Sequence, residues 1–395
     1  MSRLDPIGSR IDIARLDRDP YPLLAELQDK EPISWIADLG MWYVTRWEHV
    51  REILLDAEGF TTHSEHSTIF DTFGPQMLSA SGDTHRRYKL STRFAFRPTY
   101  VREHLQKTIE VQVGKLIEGF VDQGRTELRT SFASRLPVQI MLQVFGMSAS
   151  DEPRVRGWYD SFEAALANFA WDEEVRLAAR VNVQAFHECL QATIERLRGS
   201  PDESLLSALV NAPQEMRLTD DEIRCNALII FFGGISTVEA LILNTAWAVL
   251  SQAQIYQRVQ QDLTLLPAVI EETVRWHSPV QSATRHVTQS REFHGVNFSA
   301  GDIVNCMLGA ANRDPRVFDN PQDFDISRPN INKHMGFALG SHHCLGSHLA
   351  RAEAQIALQQ IFMRLPDLRL DSNKPIKPQG SEFHQPQSLP LCWRR

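Results

Sequence analysis

The residues best placed to do chemistry surround Cys344, which follows two histidines at 342 and 343 and lies between Gly340 and Gly346. A cysteine in such a stretch can be a nucleophile, a zinc ligand or the axial ligand of a haem iron. Apolar residues recur at helical spacing from Leu345 to Arg364, so we predict a helix directly after the cysteine. Unpaired N–H groups at a helix start stabilise a thiolate, and the glycines permit a tight loop and close approach of a large group.

A second pattern is a long apolar stretch with two glycines in its middle. The segment Thr219-Asp-Asp-Glu222 is a capping box, and apolar residues continue from there to about Leu250, which predicts one helix of roughly thirty residues. Gly233 and Gly234 interrupt this run, and each glycine costs a helix interior about 1 kcal/mol relative to alanine. The pair indicates either a local opening of the helix or tight packing against another helix.

A third pattern is a basic stretch from His85 to Arg102 that contains no acidic residue. The spacing of four residues places His85, Lys89, Arg93 and Arg97 on one face of a helix. Such a face is either simply solvated or an anion-binding site.

These patterns together resemble the cytochrome P-450 family, whose motifs occur here in the same order and over nearly the whole chain. Phe337-x-x-Gly-x-His-x-Cys-x-Gly346 is similar to the haem-binding signature, and Gly233-Gly-Ile-Ser-Thr237 to the oxygen-activation motif. The pair His85-x-x-x-Lys89 resembles the propionate-binding motif of the family. The pair Glu272-x-x-Arg275, with Arg328 as its partner, resembles the buried structural cluster beneath the cysteine loop.

The resemblance implies a role for each matching residue. Thr237 corresponds to the threonine that contacts dioxygen, but Ser236 stands where an acid usually precedes it, so a relay through water and both hydroxyls would have to deliver protons. Glu239 lies about 200° round the helix from Thr237 and is a poor substitute for that acid. Cys344 would be the iron ligand. The implied haem contacts as a whole are Cys344, His342, His85, Lys89, Arg285, Phe337, Gly340, Gly346, Gly233 and Gly234.

The same resemblance implies a haem-thiolate monooxygenase that uses haem b (iron protoporphyrin IX). It would insert one oxygen atom from O2 into an apolar organic substrate of small to medium size, by hydroxylation, epoxidation or dealkylation. Electrons would come from NAD(P)H through a separate reductase and a ferredoxin or flavodoxin, because the chain contains no flavin or nicotinamide fingerprint. The basic stretch would suit an acidic electron carrier. Lys89 keeps the charge of the usual arginine but loses its bidentate fork.

Two alternatives stay open. A haem-thiolate enzyme without the acid could use peroxide, or could catalyse a rearrangement or a coupling. A non-enzyme would be a haem-based sensor, or a zinc site built from His342, His343, Cys344 and His348, although adjacent ligands are crowded for tetrahedral zinc.

Large apolar side chains predict where a substrate would lie. Residues 60–82 are rich in turn-forming residues yet contain large apolar groups, which is typical of a binding loop or of a loop pinned to the core. After residue 100 we expect several helices, with aromatic residues that either line a channel or pack in the core. The candidate substrate contacts are Phe70, Phe73, Met77, Phe162, Phe169, Ile235 and Phe383, to which the resemblance adds Val280 and Ser282 near Arg285.

Composition limits the class of protein. The 395 residues include 41 basic and 49 acidic residues, and the net charge of −8 gives no general case for nucleic-acid binding. Five scattered cysteines indicate a reducing, cytoplasmic location, and we find neither a signal peptide nor a membrane anchor. We expect a mainly α fold with a small β-region, the cytochrome P-450 fold, as one haem-binding domain over residues 1–395. Expected details are a loose arm at 1–18, an irregular tail and a hairpin from Phe293 that turns at Ser299–Asp302.

Overall fold

The computed structural model describes residues 6–64, 67–166, 168, 171–214, 217–371 and 375–395. It is 59% helical and 10% strand, which confirms the predicted mainly α fold with a small β-region. The helices are α1 Ile13–Arg18, α2 Pro20–Lys30, α3 Trp47–Leu55, α4 Thr68–Phe73, α5 Gly82–Thr92, α6 Pro98–Tyr100, α7 Gln106–Glu118, α8 Leu136–Val144, α9 Glu152–Leu166, α10 Glu173–Gly199, α11 Leu205–Val210, α12 Asp220–Gly233, α13 Ser236–Leu250, α14 Ala253–Gln261, α15 Leu266–Trp276, α16 Leu308–Ala311 and α17 Ser347–Arg364.

The strands form a small β-region beside the helices. The larger sheet has the order β1-β2-β8-β5-β3, and β2 runs parallel to β8 while the other neighbours are antiparallel. A second sheet has the order β4-β10-β9, and β6 pairs with β7 in a hairpin. The strands are β1 Ile33–Ile36, β2 Met41–Val44, β3 Phe60–Thr61, β4 Arg125–Glu127, β5 Ser282–Val287, β6 Arg291–Phe293, β7 Val296–Phe298, β8 Ile303–Met307, β9 Arg369–Leu370 and β10 Pro390–Cys392.

The core lies around α13, which packs against α15 and α17. Most of α13 is buried, so its all-round apolar sequence follows from its central position. The stretch Asp220–Leu250 is long and apolar enough to span a membrane, but 83% of its most apolar window is buried inside the protein. The sequence predicts no membrane-spanning stretch, because Gly233 and Gly234 interrupt the apolar residues. The burial of Asp220–Leu250 is typical of a core helix.

Several details differ from the prediction. Of the predicted loose arm, the described residues 6–18 are not loose, because Asp12 caps α1 by accepting hydrogen bonds from the N–H groups of Ala14 and Arg15. The β6–β7 hairpin turns at His294–Gly295, where both residues have positive φ, and not at Ser299–Asp302. The latter turn leads instead into β8 of the larger sheet. The tail is not wholly irregular, since it supplies β9 and β10.

Candidate active site

The Cys344 loop follows a short turn, Gly340–His342, and enters α17 three residues after the cysteine. The Cys344 N–H donates to the Phe337 carbonyl at 2.9 Å, which closes the loop. Gly340 has a φ of +72°, and a Cβ there would lie 2.6 Å from the Leu54 carbonyl oxygen. This glycine is therefore required both by its backbone conformation and by its contact with α3.

Cys344 is exposed on its loop, yet enough protein lies around its sulfur to desolvate the thiol. Burial raises the pKa of Cys344, although the N–H groups of Gly346 and Ser347 and the charges of Arg351 and Lys89 act against it. The N–H groups near the helix start therefore favour the thiolate, while burial opposes it. A metal cation at the thiol would supply the missing positive charge.

The long apolar stretch is broken at its glycines into α12 and α13. The Thr237 hydroxyl donates to the Gly233 carbonyl at 2.7 Å across this break. A Cβ at Gly234 would lie 2.8 Å from the Met141 sulfur, whereas a Cβ at Gly233 would meet no protein atom within 4 Å. Both explanations for the glycine pair therefore apply: Gly234 permits close packing and Gly233 borders open space.

Ser236 and Glu239 lie on different sides of α13. Ser236 is buried, its hydroxyl has no hydrogen-bond partner of normal geometry within the described residues, and its N–H donates to the Tyr159 hydroxyl at 3.1 Å. Glu239 is also buried, but its carboxylate accepts from the Arg129 guanidinium at 2.6 Å. This pairing keeps Glu239 away from Thr237, in agreement with their helical spacing.

A cavity of about 390 Å³ brings together four of the predicted cofactor ligands, His85, Lys89, Arg285 and His342. The rings of His85 and His342 are 4.1 Å apart. Arg285 is buried at 4% exposure, and its guanidinium donates to the Thr284 carbonyl but has no carboxylate partner among the described residues. A buried guanidinium without a carboxylate makes the cavity suited to an anionic ligand.

The three basic side chains beside the cysteine loop differ in protonation and in partners. Desolvation lowers the pKa of His85 to about 4 and that of His342 to about 2, so both rings are neutral near pH 7. Lys89 donates to the carbonyls of Ser341 and, at 3.2 Å, of His343. Lys89 therefore holds the loop as well as contributing positive charge to the cavity.

Glu272, Arg275 and Arg328 lie together under the loop. Both Glu272 oxygens accept from Arg275, at 2.8 and 2.7 Å, and Arg328 donates to the same carboxylate at 3.3 Å. Glu272 and Arg275 are 0% exposed, so water screens neither charge. Arg275 also donates to the Asn312 carbonyl at 3.1 Å, and the Asn312 side chain accepts from the Met335 N–H, which fixes the start of the cysteine loop.

A neighbouring carboxylate, which we did not predict, forms a second support. The Glu271 carboxylate accepts two hydrogen bonds from the Arg351 guanidinium of α17, one of them at 3.0 Å. It also pairs with the His334 ring, which lies before the cysteine loop, at 2.8 Å. The Arg351 guanidinium also lies 4.2 Å from the centre of the Phe337 ring. Burial would raise the pKa of Glu271, but the hydrogen bonds from His334 and Arg351 outweigh it and lower the pKa to about 2.

This pKa predicts a stability contribution that depends on pH. A carboxylate with a lowered pKa stabilises the folded protein above its unfolded value of about 4.5, and the contribution is lost as the pH falls toward the folded value. We expect Glu271→Gln to lower stability by roughly 2 kcal/mol near pH 7, allowing for partial exposure. The difference in melting temperature between this variant and the unmodified protein should narrow steadily below about pH 4.5. A difference that stays constant with pH would contradict this account.

Three of the candidate substrate residues, Phe73, Phe162 and Phe383, lie in one aromatic cluster. Phe73 packs on Phe162 and on Phe232, with ring centres 5.8 and 5.4 Å apart, and Phe383 also contacts Phe232 at 5.9 Å. Residues 60–82 are not an unstructured loop, since they carry β3 and α4. Among the other candidates, Met77 and Ile235 are buried, Phe70 and Val280 are half-buried, and Phe169 lies outside the described residues.

Ser282 does not share the side of β5 that carries Arg285, because successive side chains of a strand alternate. Its hydroxyl donates instead to Glu382 at 2.6 Å, and burial raises the pKa of Glu382 to about 7. This placement gives no support to the predicted substrate contact at Ser282. Phe232, which we did not single out, is the centre of the aromatic cluster, and Tyr159 stacks on it. Helical spacing was the only sequence signal for either residue.

The alternative of a zinc site lacks a ligand set. Within the described residues, no group of three or more His, Cys, Asp or Glu side chains is arranged to hold a metal ion. His342 contacts His85 and Thr62, while His343 is exposed on the loop, so the adjacent candidates point to different surroundings.

Comparison with known proteins gives consistent matches. A family model described as Cytochrome P450 matches residues 240–389. The chain is 31% identical to cytochrome P450 monooxygenase PikC of Streptomyces venezuelae, over 95% of this chain and 92% of that protein. It is 28% identical to a steroid C26-monooxygenase of Mycolicibacterium smegmatis, over 90% and 94% of the two chains. The crystal structure of P450BioI with an acyl carrier protein carrying hexadec-9Z-enoic acid has a TM-score of 0.89 at 27% identity, and the match covers 97% of this chain and 100% of that one.

Proposed function

This chain belongs to the cytochrome P450 family of haem-dependent monooxygenases, and we propose that Cys344 is its iron ligand and that its substrate is an apolar molecule of small to medium size. The observation that carries the proposal is the exposed Cys344, held by a closed loop beside a cavity in which the buried Arg285 guanidinium has no carboxylate partner among the described residues.

The residues around Cys344 fit haem b. Two propionates would supply the carboxylates that Arg285 lacks, and the neutral rings of His85 and His342 can donate N–H groups to the same oxygens. A Cβ at Gly233 or at Gly346 would meet no protein atom within 4 Å. These glycines leave room for a flat macrocycle between α13 and the cysteine loop.

When bound, a thiolate-ligated haem activates dioxygen for insertion of one oxygen atom into the substrate. The chain contributes the geometry around it. Arg351, Glu271 and Glu272 fix the cysteine loop, Lys89 fixes its outer edge, and the aromatic cluster around Phe232 excludes water from the substrate.

The hydroxyls of Ser236 and Thr237 are proposed to move protons to the reacting oxygen. Thr237 donates to the Gly233 carbonyl, so its oxygen lone pairs are free to accept a hydrogen bond from a water that carries the proton. The Ser236 hydroxyl is buried and has no partner of normal geometry among the described residues, so it can join such a chain. Water therefore takes the place of the missing acid in this proposal.

Removal of the Thr237 hydroxyl tests the relay. We expect Thr237→Ala to lower the product formed per NAD(P)H consumed by at least about tenfold, with hydrogen peroxide appearing instead. The matched control is Thr245→Ala, because the Thr245 hydroxyl makes the same kind of bond, to the Leu241 carbonyl at 2.6 Å, two turns further along α13. Equal coupling in both variants would refute the relay. Product formed from peroxide alone, at the rate of the reconstituted chain, would favour the peroxide-driven alternative.

Electrons are proposed to arrive from NAD(P)H through a reductase and a ferredoxin or flavodoxin. Arg86, Arg93, Arg97 and Arg102 are exposed on and after α5, next to Lys89 at the cysteine loop. A basic surface this close to the proposed iron suits an acidic carrier. We propose a cytoplasmic location, since all five cysteines are free and carriers of this kind operate under reducing conditions.

Two measurements test the assignment. The reduced protein with carbon monoxide should show the red-shifted band of thiolate ligation, and a histidine-type band would refute Cys344 as the ligand. A spectral-shift screen of the ferric protein should then include steroids and free or carrier-bound fatty acids, the classes named for the relatives. Displacement of distal water by one class, and not by polar compounds of equal size, would identify the substrate class.

A further inference from the structure

The break between α12 and α13 leaves the N–H groups at the start of α13, that of Ser236 among them, without helical acceptors. In a continuous helix the Ser236 N–H would donate to the Phe232 carbonyl, four residues earlier. Here that carbonyl accepts instead from the Ile235 N–H at 3.3 Å. The regular ladder resumes with Glu239, whose N–H donates to the Ile235 carbonyl at 3.0 Å. A buried N–H that loses its partner needs another acceptor.

The Tyr159 hydroxyl of α9 supplies that acceptor. It accepts from the Ser236 N–H at 3.1 Å and lies 3.4 Å from the Phe232 carbonyl, as a second and longer bond in which it donates. Its ring is buried and stacks on the Phe232 ring, with centres 5.4 Å apart and planes at 10°. The phenol oxygen thus stands in the helix ladder between the two groups that a continuous helix would join directly.

Tyr159 also connects the break to the aromatic cluster around Phe232. Phe232 contacts Phe73 of α4 and Phe383 of the C-terminal segment. A shift of the Phe232 ring would therefore change the packing of both. Tyr159 itself hydrogen-bonds the backbone of Ser236, the residue next to Thr237.

We propose that Tyr159 is a positioning residue for the monooxygenase reaction: its hydroxyl, inserted between the Phe232 carbonyl and the Ser236 N–H, holds the central helix open where Ser236 and Thr237 face the reacting oxygen. The inference rests on the proposed function of those two hydroxyls. It gives α9, none of whose described residues lines the cavity at Arg285, a direct role in positioning the groups that deliver protons.

The test is Tyr159→Phe, which removes one oxygen and keeps the ring that stacks on Phe232. In the haem-bound protein, amide hydrogen exchange of the segment 233–238 should become roughly tenfold faster, because the Ser236 N–H loses its acceptor. The carbon monoxide stretching band of the reduced protein should shift, since carbon monoxide binds next to the break and reports on nearby polar groups. Neither measurement requires the substrate to be known.

The matched control is Tyr100→Phe, which removes a hydroxyl that donates to the Glu203 carbonyl at 3.0 Å on the protein surface. It should change neither the exchange at 233–238 nor the carbon monoxide band. The proposal is overturned if Tyr159→Phe behaves like this control. It is also overturned if exchange rises while the band stays in place, because the hydroxyl would then only stabilise the fold. Failure of the proposed proton relay looks different, since Thr237→Ala would then remain fully coupled.

Discussion

Replacement of Cys344 by serine is expected to abolish monooxygenase activity while the helical shell stays folded. A serine hydroxyl has a far higher pKa than a thiol and does not provide the anionic, electron-donating ligand that O–O bond cleavage requires. The Cys344 side chain is exposed on its loop, so loss of the sulfur removes little core packing. We expect product formation to fall below detection, with unchanged far-ultraviolet circular dichroism and loss of the red-shifted carbon monoxide band.

The control for this substitution is Cys189→Ser, which makes the same change in α10, away from the proposed iron ligand. This variant should keep both the band and the turnover. If Cys344→Ser retained the red-shifted band, another side chain would have to be the ligand, and the assignment of the whole site would be wrong.

Glu272→Gln is expected to have the largest effect on stability, with a loss of about 3–5 kcal/mol. The substitution leaves Arg275 and Arg328 buried next to each other without the carboxylate that neutralises them. Urea unfolding and haem content measure the effect, since the cluster lies under the cysteine loop. Glu26→Gln is the control: its pair with Lys30 is exposed at 3.1 Å, and its loss should cost less than about 1 kcal/mol.

A double variant separates the charge effect from the packing effect. If unpaired charge is the cause, Glu272→Gln combined with Arg275→Met should be less destabilised than the sum of the two single variants. Additive losses would show instead that the hydrogen bonds of Arg275 to the Asn312 and Asp323 carbonyls dominate. The measurement thus distinguishes charge neutralisation from the Arg275 hydrogen bonds as the main support of the cysteine loop.

The sequence was most informative where neighbours in the chain cooperate. The capping box at Thr219 and the helix after Cys344 follow from local chemistry, and the structure places both as expected, with shifts of one or two residues. The family relationship was recoverable because several spaced motifs occur in one order. The break at Gly233 was also foreseeable, because two adjacent glycines weaken any helix.

What the sequence did not reveal depends on distant partners. Nothing near Glu271 indicates that Arg351, 80 residues later, is its partner, and nothing near Tyr159 indicates the Ser236 N–H, 77 residues away. The opposing effect of burial on the pKa of Cys344 could not be predicted for a related reason: the N–H groups of a helix start act locally, whereas desolvation depends on the surrounding fold. The hairpin turn was misplaced because two turn-forming segments, His294–Gly295 and Ser299–Asp302, compete within ten residues of each other.

The burial of α13 has a consequence for biosynthesis. This helix is covered by α15 and α17, which are translated after it, so a nascent chain displays its most apolar segment before the covering helices have left the ribosome. C-terminally truncated chains should accordingly aggregate even when most of the sequence is present. Slower translation of the segment 250–364 would prolong this exposure, and recruitment of chaperones to the emerging chain should peak there.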